Sequence, residues 1–181
     1  MLCYNDIGDN MAEYWDVYDK SGKKKNKTIK RGQILGPGEY HIIVESWIRV
    51  AEDKYIIQKR AKNKKTFPDL WYCSAGGSVH AGETPLEGIV REIEEELSLD
   101  ILPSELKLKR IITECGGIFY IYLCDKIVNI EDIVIQKEEV QDVKIASVNE
   151  IFKLIDEGKF IKLDYYKKFF NSVGQFTLRE E

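Results

Sequence analysis

Residues 71–99 constrain this chain more than any other stretch. A short apolar run over 71–74 meets Ala75-Gly76-Gly77, and a capped helical pattern follows. Thr84 is a good N-cap, Pro85 suits the first helical position, and Glu87 stands three residues after the cap. Together they make a capping box with the favoured N1 proline. The spacing predicts a helix over 85–97. At about 100° per residue, Leu86, Ile89, Val90, Ile93 and Leu97 form one apolar stripe. Glu92, Glu95 and Glu96 are expected together on the opposite side, with Gly88 one turn earlier leaving room for something to approach. A helix with a single apolar stripe must bury it on another layer.

The flanking sequence supplies that layer. Strand patterns run over 41–50, 54–59, 106–113, 117–123 and 142–147, with turns at Ala51-Glu52-Asp53 and Cys115-Gly116. Helical patterns cover 149–157 and 164–173. Strands and helices alternate in mixed order, so an α/β fold with a mixed sheet and packed helices is expected. The glycines of Ala75-Gly76-Gly77 read as opening a loop. A basic loop with Lys62, Lys64 and Lys65 ends at Pro68. Residues 1–40 read as an extension with a β-hairpin, and 41–181 as the main domain. In the extension, 14–18 alternates as a strand and 19–22 reads as a turn. Lys23, Lys24, Lys25, Lys27, Lys30 and Arg31 then form either a solvated hairpin loop or a basic rim that guides an anionic substrate.

The 181 residues suit one ordinary domain. Lys and Arg total 27 against 31 Asp and Glu, a net charge of −4, which excludes holding nucleic acid by backbone charge alone. Cysteines at 3, 73, 115 and 124 form no CxxC pair. Neither a leader-like start nor an apolar run near the roughly 18 residues of a membrane span is evident. Free thiols without a leader point to the cytoplasm.

Three carboxylates on one helical patch repel each other by about 0.2–0.5 kcal/mol per i, i+4 pair. Two readings fit Glu92, Glu95 and Glu96: a solvated acidic face, or a site whose hard oxygen donors take Mg²⁺ or Mn²⁺.

The spacing favours the second. Gly77, five residues, Glu83, seven residues, then Arg91-Glu92-Ile93-Glu94-Glu95-Glu96-Leu97-Ser98-Leu99 resembles the Nudix box. Every constrained position matches except Ser98, which stands where the family has Gly at the helix exit. The resemblance implies an α/β/α sandwich and Mg²⁺-dependent cleavage of nucleoside diphosphates linked to another group. By position it implies Glu95 and Glu96 as the main metal-binding pair and Glu92 as a metal ligand that also helps activate water. Arg91 would orient these glutamates, Glu83 would be an outer acid, and Gly76 would offer a backbone carbonyl near the metal. Family members often add an acid from a later loop, here Glu138 or Glu139. If that segment is extended, only one of the two points inward, and Val140 favours Glu139.

The segments around 13–24, 38–50 and 56–77 also resemble the isopentenyl diphosphate isomerase-like Nudix proteins. The isomerase cysteine and histidine positions correspond to Gly76 and Ser78, and Cys73 is three residues too early. The expected activity is therefore that of a diphosphate hydrolase, with an isomerase-like enzyme or a non-catalytic binding module as alternatives. Cys73 reads as a half-buried strand residue, His80 as an exposed loop residue or a phosphate contact, and His41 as a local cap. Phe119 and Tyr120 face opposite sides of their strand, and Tyr165, Tyr166, Phe169 and Phe170 cover the sheet or a dimer contact. The expected partner is a small-molecule diphosphate, with no nucleic acid or membrane, and the two chain ends leave room for a homodimer. None of the loops at 20–40, 61–70 and 125–141 names the substrate.

Overall fold

The computed structural model describes residues 13–114 and 116–178. Cys3, Cys115 and the opening segment read as lacking a leader lie outside them. The N-terminal hairpin pairs β1 (Tyr14–Tyr18) with β2 (Lys24–Lys30) antiparallel. The basic run is therefore largely a strand and not a loop. Ile29 opposite Trp15 anchors it in a small cluster with Val17, while most of its lysines stay exposed. Charge density concealed the strand because β2 itself buries a single apolar residue, Ile29.

The central strand is β3 (His41–Ala51), which runs parallel to β8 (Gly117–Asp125) and antiparallel to β6 (Ala75–Ser78). Outside β8 lies β7 (Leu106–Glu114). After its turn from β3, β4 (Lys54–Arg60) pairs with β9 (Val140–Ala146) and with β5 (Trp71–Tyr72). The glycines read as a loop thus belong to β6, where Gly76 and Gly77 pair with Glu45 and Val44.

Residues 41–49 of β3 are buried throughout, as a strand covered on both faces should be. On one face Ile42, Val44 and Ile48 meet Ile89, Ile93 and Leu97 of α1 (Pro85–Leu97). On the other, Ile43 and Trp47 meet Ile151 of α2 (Val148–Asp156) and Phe169 of α3 (Tyr166–Phe170). The result is an α/β/α sandwich on a mixed sheet. Phe119 and Tyr122 of β8 fall in the two opposite layers. Tyr166, Phe169 and Phe170 ring Trp47 at centroid distances of 5.5, 5.7 and 4.9 Å, so the C-terminal aromatics cover the sheet.

The hairpin is docked on this sandwich. Ala81 N donates to Tyr14 O at 2.7 Å, Gly82 N donates to Asp16 Oδ2 at 2.8 Å, and the Trp15 ring stacks on His41 at 4.3 Å. His41 is thus no local cap. Its ring is buried against Trp15, and burial lowers its pKa to about 4. Among the described residues, no helix is long and apolar enough to cross a membrane.

Candidate active site

The site is built on α1. Its capping box is formed: Glu87 N donates to Thr84 Oγ1 at 3.3 Å, and Thr84 N donates to Glu87 Oε2 at 2.8 Å. At its other end Ser98 takes a left-handed conformation with φ 50° and donates its N–H to Glu94 O. A glycine would adopt that conformation without strain. Gly88 leaves no open space, because a Cβ there would come within 3.1 Å of Val79 Cγ2. The helix is thereby held close against the segment that precedes it.

Arg91 is the hub of the acidic patch. Its guanidinium donates to Glu83 Oε1 at 2.8 Å, to Glu92 Oε1 at 2.8 Å, to Glu95 Oε2 at 3.1 Å and to Ser78 O at 3.2 Å. Burial alone would lower the Arg91 pKa, but Glu83 and Glu92 outweigh it and hold the group firmly charged. Glu83 is held below the usual carboxylate range despite burial, because Arg91 and the His80 N–H hold its ionised form.

Glu96 departs from the expected exposed face. It borders the apolar stripe and is only 3% exposed. Gln58 Nε2 donates to its Oε2 at 2.8 Å, and Gly76 N donates to the same oxygen at 2.9 Å. Burial and the charge of Glu92 push its pKa well up. Glu92 is also raised, chiefly by burial, with Arg91 opposing and Glu95 and Glu139 adding to the rise. Gly77 cradles Glu92 so closely that a Cβ at 77 would lie 2.3 Å from its Oε1.

These groups line a cleft of about 420 Å³. Glu138 and Glu139 both line it, contrary to the expectation that only one points inward. The reason is local: residues 137–139 form a turn, with Glu139 N donating to Gln136 O at 2.9 Å, so strand alternation starts only at Val140. Glu139 pairs with the buried ammonium of Lys64. Besides Arg91, the cleft is lined by the cations of Arg31, Arg60, Lys64 and Lys65. His80 lies at its edge, with Nε2 3.6 Å from Glu13 and Nδ1 3.8 Å from Glu83.

One residue was missed by the sequence reading. Glu45 is fully buried beside the cleft residues Ile43 and Tyr72, and it accepts hydrogen bonds from the hydroxyls of Tyr72 and Tyr165. Burial raises its pKa to about 7 in spite of those two donors. A carboxylate at the middle of the apolar strand 41–50 was the available clue. The hairpin reaches the cleft through Glu13, Trp15 and Arg31, the last of which belongs to the basic run read as a solvated loop or a rim for an anionic substrate. Cys73, by contrast, is fully buried, and burial raises its pKa far above the thiolate range. Gly76 and Ser78 line the cleft where the isomerase cysteine and histidine would stand.

The donor set fits a divalent cation. It offers hard carboxylate oxygens, those of Glu96 buried and those of Glu92 partly so, over a glycine cradle that a Cβ would fill. Among the described residues, no three such ligands have already converged. Glu92 and Glu95 are turned to Arg91, Glu96 to Gln58 and Gly76, and Glu139 to Lys64.

The NUDIX domain model matches residues 39–169. An uncharacterized Nudix hydrolase of Listeria monocytogenes is 33% identical over 166 residues, covering 92% of this chain and 98% of its own. An isopentenyl-diphosphate Delta-isomerase of Escherichia coli is 32% identical over only 65 residues, 36% of each chain. A crystallised Deinococcus radiodurans protein shares the fold at TM-score 0.69 and 20% identity, covering 90% of this chain and 100% of its own.

Proposed function

As this chain belongs to the Nudix hydrolase family, we propose that it is a Mg²⁺- or Mn²⁺-dependent hydrolase of the diphosphate linkage in a nucleoside diphosphate derivative. The observation that carries the reading is the lining of one cleft by both kinds of charge: the carboxylates of Glu92, Glu95, Glu96 and Glu139, and the cations of Arg31, Arg60, Lys64 and Lys65 beside Arg91. A diphosphate bridging the two would meet cation ligands and phosphate-binding cations together. When bound, the divalent cation shields the phosphate oxygens and lowers the pKa of a bound water.

The chain's own residues do the positioning. Glu92, Glu95, Glu96 and Glu139, with the Gly76 carbonyl, would hold the cation; Arg91 keeps Glu92 and Glu95 aligned; Gln58 and the Gly76 N–H fix Glu96. Glu92 is also the group assigned to help activate the attacking water, as its place in the box implies. The basic residues orient the anionic substrate. The isomerase alternative finds no thiol or imidazole at Gly76 and Ser78. The binding-module alternative would not require Glu92, Glu95, Glu96 and Arg91 together. The two described cysteines, Cys73 and Cys124, are free and buried, which supports a cytoplasmic placement. The partner is a small molecule and not nucleic acid or membrane, and a homodimer is compatible with the fold.

The test is a screen of nucleoside diphosphate derivatives with Mg²⁺, reading phosphate released after phosphatase coupling, together with isopentenyl diphosphate. Chelator-sensitive release from one substrate class is expected. Release that persists in EDTA, or isomerisation at enzymatic rates, would overturn the reading.

A further inference from the structure

The N-terminal hairpin lies outside residues 39–169, the part that the NUDIX domain model matches. Apolar contacts already anchor it: Trp15, Val17 and Ile29 are buried together, and Trp15 stacks on His41. Yet the residue between Trp15 and Val17 is a carboxylate, Asp16, and it is only 5% exposed. Burying an ionised group is costly unless it is paired and hydrogen-bonded. Asp16 meets two donors on one oxygen. Lys24 Nζ lies 2.6 Å from Oδ2 within the hairpin, and Gly82 N donates to it at 2.8 Å from the main domain. An apolar residue at 16 could dock a hairpin, but it could not hold a backbone N–H.

Gly82 belongs to the turn that leads into α1. It stands at φ 90°, and a Cβ there would meet nothing within 4 Å. A glycine in open space has the widest choice of backbone conformation. The hairpin restricts it, through Asp16 and through Ala81 N donating to Tyr14 O at 2.7 Å. The turn is closed where Glu83 N donates to His80 O at 3.0 Å and His80 N donates to Glu83 Oε2 at 2.9 Å. Glu83, the next residue after Gly82, receives Arg91 at two points. Nε donates to Oε1 at 2.8 Å and Nη2 donates to Oε2 at 3.0 Å. A two-point contact of this kind fixes the plane of the guanidinium. The third nitrogen, Nη1, is thereby aimed at Glu92, at 2.8 Å, and at Glu95, at 3.1 Å. Direct contacts thus run from Asp16 through Gly82, Glu83 and Arg91 to two carboxylates of the cation site.

On the metal-hydrolase reading above, we propose that Asp16 is a positioning residue of the active site, contributed by the hairpin. Its carboxylate holds the Gly82 turn so that Glu83 sets the guanidinium of Arg91, and through it the alignment of Glu92 and Glu95. Removing the acceptor at 16 frees the turn and loosens those two ligands without touching any residue that meets the cation or the substrate.

The experiment compares the parent protein with Asp16→Ala, Asp16→Asn and Ile29→Ala. Mn²⁺ is titrated into substrate-free protein and followed by the paramagnetic resonance of the free ion; kcat and KM are measured at saturating Mg²⁺, and thermal unfolding is recorded for each. Asp16→Ala should bind Mn²⁺ at least about threefold more weakly and lose at least about tenfold in kcat, with KM within about threefold of the parent. Asp16→Asn keeps an oxygen for the Gly82 N–H and should stay within about threefold of the parent in Mn²⁺ affinity and kcat. Ile29→Ala leaves a cavity in the hairpin's apolar cluster and should lower Tm, yet hold Mn²⁺ affinity and kcat within about threefold of the parent. Asp16→Ser, whose oxygen stands one bond short, carries the alanine expectation should that variant not fold. Asp16→Ala with parent-like Mn²⁺ affinity and kcat, an effect confined to KM, an asparagine variant as impaired as the alanine one, or an equal loss in Ile29→Ala each overturn the role of Asp16 and leave the hydrolase reading standing. A parent protein that binds no Mn²⁺ overturns both.

Discussion

Gly77→Ala separates the site from the fold. A Cβ at 77 would stand 2.3 Å from Glu92 Oε1 and 2.5 Å from its carboxyl carbon. Non-bonded contacts of this kind settle near about 3.5 Å, so the carboxylate must retreat by about 1 Å. Only the far end of a flexible side chain moves, and the pairing of Gly77 with Val44 is untouched. The structural loss is the 2.8 Å Arg91–Glu92 contact, which is partly solvated and worth about 1 kcal/mol. That corresponds to a fall in Tm of about 2–4 °C for a chain of this size. A ligand displaced by about 1 Å costs much more in rate, about 10²-fold in kcat. Gly76→Ala should behave in the opposite way. Its Cβ would lie 2.7 Å from Val44 O, a backbone atom of the central strand, and such overpacking costs about 1–3 kcal/mol of stability. The assay is kcat at saturating Mg²⁺ on the screened substrate, with thermal unfolding of both variants. If Gly77→Ala retains the parent kcat, or loses Tm as heavily as Gly76→Ala, then Glu92 is not held in a working position by the glycine cradle.

Glu95→Gln and Glu96→Gln, which keep shape and remove charge, should each lower kcat by at least about 10²-fold; a loss below about fivefold in steady-state assays would remove them from the metal site. Glu92 titrates higher in the fold than its ordinary 4.5, at about 7. The unfolded chain therefore binds fewer protons between those values, and the stability contribution of this group is present below pH 4.5 and lost as pH rises through the raised pKa. Mg²⁺ should offset that loss, so the Tm gain on adding Mg²⁺ should grow across this window, and a pH-independent gain would refute the assignment. Ser98→Gly removes the strain of a non-glycine residue at φ 50° and should add about 0.5–1 kcal/mol in chemical denaturation; a loss of stability would show that the serine side chain makes a compensating contact.

Helix α1 was legible in the sequence because its determinants are local. A cap reads the residue three positions on, an apolar stripe repeats every turn, and the left-handed exit at Ser98 falls where the box pattern asks for glycine. The same spacing placed Arg91 and Glu95 within each other's reach, since i, i+4 side chains are neighbours on any straight helix. The strands at 41–50 and 117–123 were legible as well, because a strand covered on both faces is apolar almost throughout. What the tertiary structure decided are relations between residues far apart in the chain. Whether Gly76 and Gly77 form a loop or a strand depends on β3 offering its edge. Whether Glu96 is solvated depends on Gln58 arriving from β4. Glu138 and Glu139 both reach the cleft because a turn set by Gln136 overrides strand alternation. Lys64 differs from Lys62 and Lys65 in being buried where the facing turn brings it Glu139, and Glu45 is buried where tyrosines from β5 and from the segment before α3 donate to it. A residue's own chemistry declares what it can bind or donate, but burial and charge pairing are properties of the partner that the fold delivers.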